Sequence, residues 1–388
     1  MSLRAIAVRQ PTLILLAAAS WAGLLALPVL RHAPNRLLSG HALGLPSLGW
    51  PGAFVIAAAL VLLGTAFLKP SRQSAWIALV AAAALSIGIT VASGFAAVTL
   101  AIGESDTART SFGSGTWLVI ITGLLAEAEA TRRLALKPWA RLLIVLATVA
   151  GFAVPAFLGW LDQLALLREW QAKQETFSIA FWQHGEIVLS ALIPTLLIGL
   201  PLGFFAHRSA RFQKPLLAGL SLIQTIPSIA MFGLLMAPLT ALGEAAPWLR
   251  DFGICGVGLT PAIIALTLYA LLPVVRNTVS GLDSVPFAIL DAARGQGLTP
   301  TQIFFQVEAP LAAPVLLAGL RITVVQTIGL TAVAALIGAG GLGAIMFQGL
   351  FANANDLILL GAIPIVLLAV AADILFRLAA DSLRKRTS

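Results

Sequence analysis

Apolar runs dominate this chain, and ten of them approach the length that a bilayer demands. A helix rises 1.5 Å per residue, so a hydrocarbon core of about 30 Å takes about 20 residues to cross. Runs at 11–30, 52–68, 75–101, 114–129, 141–160, 186–206, 215–238, 257–275, 316–339 and 357–377 are the ten predicted spans. The run at 114–129 is the least regular, because Glu127 and Glu129 end its apolar part early. Residues 162–183 mix Leu164, Leu167, Trp170, Phe177, Phe181 and Trp182 with Asp162, Arg168, Glu169, Lys173 and Glu175. That mixture predicts a helix lying in an interface. The pattern as a whole predicts an all-α polytopic membrane protein. A membrane region of five helices fills 1–161, an interfacial segment 162–185, and a second group of five helices 186–388.

The longest polar passage of the second half, within 281–314, reads as two short capped helices. Ser284 is positioned to cap the first, with Pro286 in its opening turn, where a missing N–H costs nothing. Gly295 and Gly297 permit a left-handed exit. Thr299 opens the second helix, with Pro300 at its first position and Gln302 as the capping-box partner. Pro310 is expected to close it, since its ring cannot continue a helix without cost.

Composition removes whole classes of protein. Of 388 residues, 59% are hydrophobic and 10% charged, where soluble domains carry roughly 25% charged residues. Arg4 and Arg9 precede an apolar run too long for a signal peptide, so a retained first span is expected. The net charge of +8 matters through its distribution. With the N-terminus in the cytoplasm, 18 of the 24 basic residues fall in cytoplasmic loops and six outside: Arg31, Arg36, Arg109, Arg168, Lys173 and Arg250. This asymmetry predicts both termini and the polar passage in the cytoplasm. Trp50, Trp160 and Trp248 then mark outer boundaries, and Trp76 and Trp139 inner ones.

Candidate chemistry is sparse. Cys255 is the single cysteine, which excludes an internal disulfide and a cysteine metal cluster. No G-x-x-x-x-G-K-[S/T] loop occurs, so ATP hydrolysis by that device belongs to another chain. H-E-x-x-H and G-x-S-x-G are also absent. His32, His41, His184 and His207 read as interfacial groups at or beyond membrane boundaries. Asp373 and Arg377, four residues apart, read as a helix-surface pair, and Glu127 and Glu129 as inner-interface acids. No deep acid of the kind a proton-driven carrier uses stands out. Two polar patches at membrane depth remain, Gln224, Thr225, Pro227 and Ser228, and Gly340, Gly341 and Gly343. They fit either close helix packing or the lining of a hydrated path.

Asp291-Ala292-Ala293, Gly297 six positions after the acid, and Val307-Glu308-Ala309-Pro310 after nine further residues resemble the E-A-A loop of binding-protein-dependent ABC importer permeases. Asp291, Val307 and Ala309 depart from the family's Glu, Ile and Leu. The runs from Gln224 to Ser228, Val275 to Thr278, Ala292 to Gly295 and Gly340 to Gly343 are similar to its glycine betaine and choline (osmoprotectant) branch. The resemblance covers about 186–378. It implies a type I permease core with cytoplasmic coupling helices and no active site or cofactor on this chain. It also implies ATP used by cytoplasmic ATPase subunits, a second permease subunit, identical or paralogous, and a periplasmic or lipid-anchored substrate-binding protein. By the same resemblance Asp291, Ala292, Ala293, Arg294, Gly297, Glu308 and Pro310 form the ATPase-coupling surface. The sequence leaves open a permease of this kind for another solute, such as methionine or a sulfonate. An ion-coupled carrier and an intramembrane enzyme would each need deep charged or catalytic groups, which it lacks.

Overall fold

The computed structural model describes residues 10–387 apart from 36, 37, 39 and 252, with side chains described up to 380 and at 382. Arg4, Arg9, Arg36 and the side chains of Arg384, Lys385 and Arg386, all in the charge count, lie outside the described residues. Two compact units divide the chain, Met1–Ala172 and Lys173–Ser388.

The first unit contains α1 (Pro11–Ala26), α2 (Gly52–Thr65), α3 (Arg72–Leu100), α4 (Ser114–Arg133), α5 (Pro138–Phe157) and α6 (Ala165–Ala172). Ser71 and Ser74 form a capping box that starts α3. Small residues bring α1 against α4: a Cβ on Gly115 would lie 2.3 Å from the Gly23 carbonyl oxygen, and the Ser20 and Thr122 hydroxyls meet at 2.7 Å. Helix α5 is loosely packed, with Pro155 its one fully buried residue. Three short strands, β1 (Leu30–Ala33), β2 (His41–Leu43) and β3 (Arg109–Phe112), form an antiparallel sheet in the order β2-β1-β3. The all-α reading did not include this sheet. Strands of three or four residues are too short to display a two-residue alternation.

The second unit contains α7 (Gln174–Arg208), α8 (Ala210–Thr225), α9 (Ser228–Ala245), α10 (Trp248–Asp251), α11 (Leu259–Asp283), α12 (Phe287–Gly295), α13 (Pro300–Ile303), α14 (Ala309–Ala334), α15 (Leu342–Phe351) and α16 (Asn355–Thr387). Its topology follows from residue pairs. The Thr267 hydroxyl donates to Ala191 O, Gly199 sits against Val274, Gly203 against Thr278, and His207 Nδ1 lies 2.7 Å from Asp283. Both numbers rise together, so α7 and α11 run parallel, and residues 209–258 must carry the chain back between them. Gly199 and Gly203, four apart, let the two backbones approach closely. Gly319 against Asn277 and Gly281 against Leu316 make α14 antiparallel to α11. Arg321–Asp373 joins α16 to α14 in turn.

Among the described residues, seven helical stretches are long and apolar enough to cross a membrane. They are α3, α5, α7, α9, α11, the run Pro300–Ile337 and Asn355–Ala380. The predicted spans at 11–30 and 52–68 form helices of only 16 and 14 residues, and α4 carries Glu127 and Glu129 in its later turns. The predicted span at 215–238 is two helices, α8 and α9, broken at Ile226–Pro227. A proline has no N–H to continue the ladder and restricts the residue before it to extended backbone; Ile226 stands at φ −74°, ψ 127°. The interfacial stretch 162–183 also divides, into α6 and the first turns of α7.

Candidate functional site

The polar passage forms a knuckle between α11 and α14. Ser284 ends α11 and donates to Gly281 O, while Pro286 is the N-cap of α12, so the predicted Ser284 cap is corrected. A hydroxyl already within reach of a carbonyl one turn back has a local partner and does not need the next helix. Helix α12 ends as its glycines suggested, though Gly297 alone turns left-handed, at φ +78°. Leu298 N donates to Ala293 O and Gly297 N to Arg294 O, the paired bonds of a Schellman turn. Thr299 and Gln302 form the expected capping box on α13.

Pro310 does not close the second helix. Residues Phe304–Glu308 form a π-helical turn, Ala309 N bonds to Phe304 O, and the helix continues into α14. The wider turn accommodates a ring that would otherwise press on the carbonyl four residues back. Pro300–Ile337 is therefore one helical run, and the knuckle's second half is the foot of a long helix.

Its inner face is anchored. Val285, Leu282 and Ala312 form a buried cluster with Phe204, Leu290 and Phe304 packed on it, and Ala293 and Ile303 are buried. Glu308 is 3% exposed and accepts from Arg208 Nη2 at 2.7 Å, which ties the end of α7 to the π turn. Arg208 also lies 5.2 Å from the Phe204 ring centroid, within cation–π range. The outer face is uncovered. Phe287 and Phe305 are 69% and 67% exposed, Asp291 and Ala292 stand free of burial, and Arg294 lies over the Phe287 ring at 5.8 Å. Of the predicted coupling residues, Asp291, Ala292, Arg294, Gly297 and Pro310 are exposed, whereas Ala293 and Glu308 face inward.

The two patches at membrane depth are separate. Gln224 Nε2 donates to Tyr269 O at 2.7 Å, and Tyr269 Oη donates to Ile226 O at 2.5 Å. Tyr269 thus satisfies the carbonyl freed by the break before Pro227. The Thr225 hydroxyl donates to Leu222 O, and Ser228 begins α9 half-buried. Replacing Tyr269 by Phe leaves Ile226 O without that donor; we expect a stability loss of about 1 kcal/mol, measured by thermal unfolding in detergent. In the second patch Gly338, Gly340 and Gly341 all have positive φ. Gln183 clasps them, accepting from Gly341 N at 3.0 Å and donating to Ala339 O at 3.2 Å. A Cβ on Gly343 would lie 2.0 Å from Ala332 O, so that glycine serves close packing. Tyr269 lies level with residue 193 of the parallel α7, ten residues from Gln183, or about 15 Å along the axis.

His184, read from the sequence as a group near a membrane boundary, is wholly buried within the protein, with Nε2 3.2 Å from Ile328 O. Glu127 is likewise buried within the protein, accepting from the Thr148 hydroxyl. Asp373 and Arg377 pair at 2.7 Å as predicted, with Arg321 joining at 3.4 Å. Sequence reasoning missed Arg208–Glu308, Gln183 and Tyr269. Tyr269 did carry a signal: the chain's one tyrosine, in an apolar run, has a hydroxyl that needs a partner.

Residues 196–388 match the family described as binding-protein-dependent transport system inner membrane component, and residues 8–167 match the N-terminal domain of the ABC transporter permease YehY. The osmoprotectant import permease protein OsmW of Salmonella typhimurium is 40% identical over 192 residues, covering 50% of this chain and 84% of that protein. The glycine betaine/carnitine/choline transport system permease protein OpuCD of Bacillus subtilis is 37% identical over 195 residues, 50% of this chain and 78% of that protein. Among solved structures, the inward-facing MetNI methionine ABC transporter is similar at 24% identity and a TM-score of 0.45, covering 56% of this chain and 98% of that one. A multi-pass helical chain with this knuckle between two long helices is a transport permease. It belongs to the binding-protein-dependent ABC importer permease family.

Proposed function

We propose that this permease imports a small osmoprotectant such as glycine betaine or choline, driven by a separate cytoplasmic ATPase. Similarity to permeases named for osmoprotectant, carnitine and choline transport supports the solute class. The observation that carries the coupling role is the joint at Glu308. A docking face with exposed Phe287, Asp291 and Phe305 leads into a helical run of 38 residues that contains the π turn. An ATPase gripping that face moves α14 as a lever, and Arg208 carries part of the displacement to α7. Asp291, Ala292, Arg294 and Gly297 form the contact; Ala293 and Glu308 shape it from beneath, and Pro310 sets the joint.

In this reading the core 186–388 is the transport unit, 162–185 the connection and 1–161 an added scaffold. Both termini and the knuckle lie in the cytoplasm of a bacterial inner membrane. A second permease subunit and an external binding protein complete the assembly, and ATP is bound by the partner ATPase. The path runs beside the break at Ile226–Pro227 and the glycine turn at 340–343, with Thr225 and Ser228 offering hydroxyls. Proteoliposomes holding the permease, its ATPase and its binding protein test this. Labelled glycine betaine should enter only with ATP, and choline should compete while methionine and sulfonates do not. Uptake on an ion gradient without the ATPase, or competition by methionine, contradicts the reading.

A further inference from the structure

The N-terminal unit holds a cavity of about 630 Å³, open along one side where Trp50, Phe54 and Val80 are exposed, that the transport reading leaves without a role. Its volume and apolar character are those of small-molecule sites. Helices α2, α3, α4 and α5 supply the walls. Trp50, Phe54 and Phe95 line one end, the Trp50 ring 6.0 Å from Phe54 and 6.4 Å from Phe95. Glu127 lines the other. Gly123 of α4 sits against Ala82 and Ser86 of α3, so the acid lies roughly 20 Å along α3 from Phe95. The space is elongated, with aromatic rings at one end and a carboxylate at the other.

Glu127 is 6% exposed; Thr148 donates to Oε1, and the buried Oε2 has no hydrogen-bond partner among the described residues. The basic groups of the same helix end are engaged elsewhere. Arg132 and Arg133 both hold Glu129, and Arg133 also donates to Gln10. A buried carboxylate with an open acceptor is costly unless a counter-charge or donor meets it. We propose that this cavity binds a single-chain alkylamine cation, its ammonium donating to Glu127 Oε2 and its chain lying toward Trp50 and Phe95. An ammonium supplies both the donor and the charge, and the apolar walls exclude a more polar occupant.

The full-length protein in lipid nanodiscs, titrated with radiolabelled tetradecylamine, tests this. Saturable binding of about one molecule per chain is expected, with tetradecanol failing to compete. Glu127→Gln, close in shape, should weaken binding about tenfold or more. Gly88→Leu should weaken it as well, because Gly88 lines the cavity and a Cβ there meets nothing within 4 Å. Absence of a saturable component, equal affinity in Glu127→Gln, or equal competition by tetradecanol overturns the proposal. The tetradecanol comparison uses the unaltered protein, so it decides even where a variant fails to fold.

Discussion

Gly297→Glu is expected to stop ATP-driven uptake while the chain still inserts and folds. Gly297 stands at φ +78° with open space where a Cβ would go. The substitution therefore meets backbone strain of about 1–2 kcal/mol and no clash. A carboxylate added at the α12 turn must be desolvated against any docked subunit. A misplaced charge of this kind costs several kcal/mol, and every 1.4 kcal/mol is about tenfold in affinity. Uptake should fall by about tenfold or more, with ATPase capture lost in pull-down. Gly297→Asn separates strain from docking, since asparagine tolerates the left-handed region without adding charge. It should retain most uptake. Equal transport by Gly297→Glu and the unaltered permease would remove Gly297 from the docking face.

Arg208→Met is expected to be the most damaging single change at the joint. It leaves Glu308, 3% exposed, without the guanidinium 2.7 Å away, and removes the cation over Phe204. Breaking a fully buried pair costs about 3–5 kcal/mol. The Arg208 side chain is 43% exposed, so water replaces part of the loss; about 2–3 kcal/mol is the expected destabilisation. Combining Arg208→Met with Glu308→Gln should restore part of it, because the amide is cheaper to bury than an unpaired carboxylate. A double-mutant cycle by thermal unfolding measures this coupling. Strict additivity would mean that the pair does not hold the joint.

Local chemistry made much of the knuckle legible beforehand. The Thr299–Gln302 capping box and the left-handed Gly297 involve residues at most a few positions apart, and both are found. Hydropathy placed the helices but not their ends. A run of apolar residues does not distinguish a full span from the 14-residue α2, and α7 extends well beyond its apolar stretch through polar turns. Pro227 was visible as a disturbance, yet a broken helix and a kinked one share the same pattern. In the sequence Pro310 reads as a stop because a proline conflicts with an α-turn, and the π turn removes that conflict without any sequence mark. Pairs that are distant in sequence were not visible. Arg208 and Glu308 are 100 residues apart, and Glu127 and Thr148 meet only because α4 and α5 fold together. An isolated charge in a sequence reads as a surface group until its partner is located.

Site-specific cross-linking of the knuckle to the partner ATPase tests the central claim most directly. With Cys255 replaced by serine, Phe287→Cys, Asp291→Cys and Phe305→Cys each place a thiol on the exposed outer face, and Trp160→Cys places one in the N-terminal unit. In the assembled importer, the three knuckle thiols should cross-link to the ATPase, with a yield that changes when ATP binds, while the thiol at 160 does not. Cross-linking equal at all four positions, or absent from the knuckle, would contradict the coupling role.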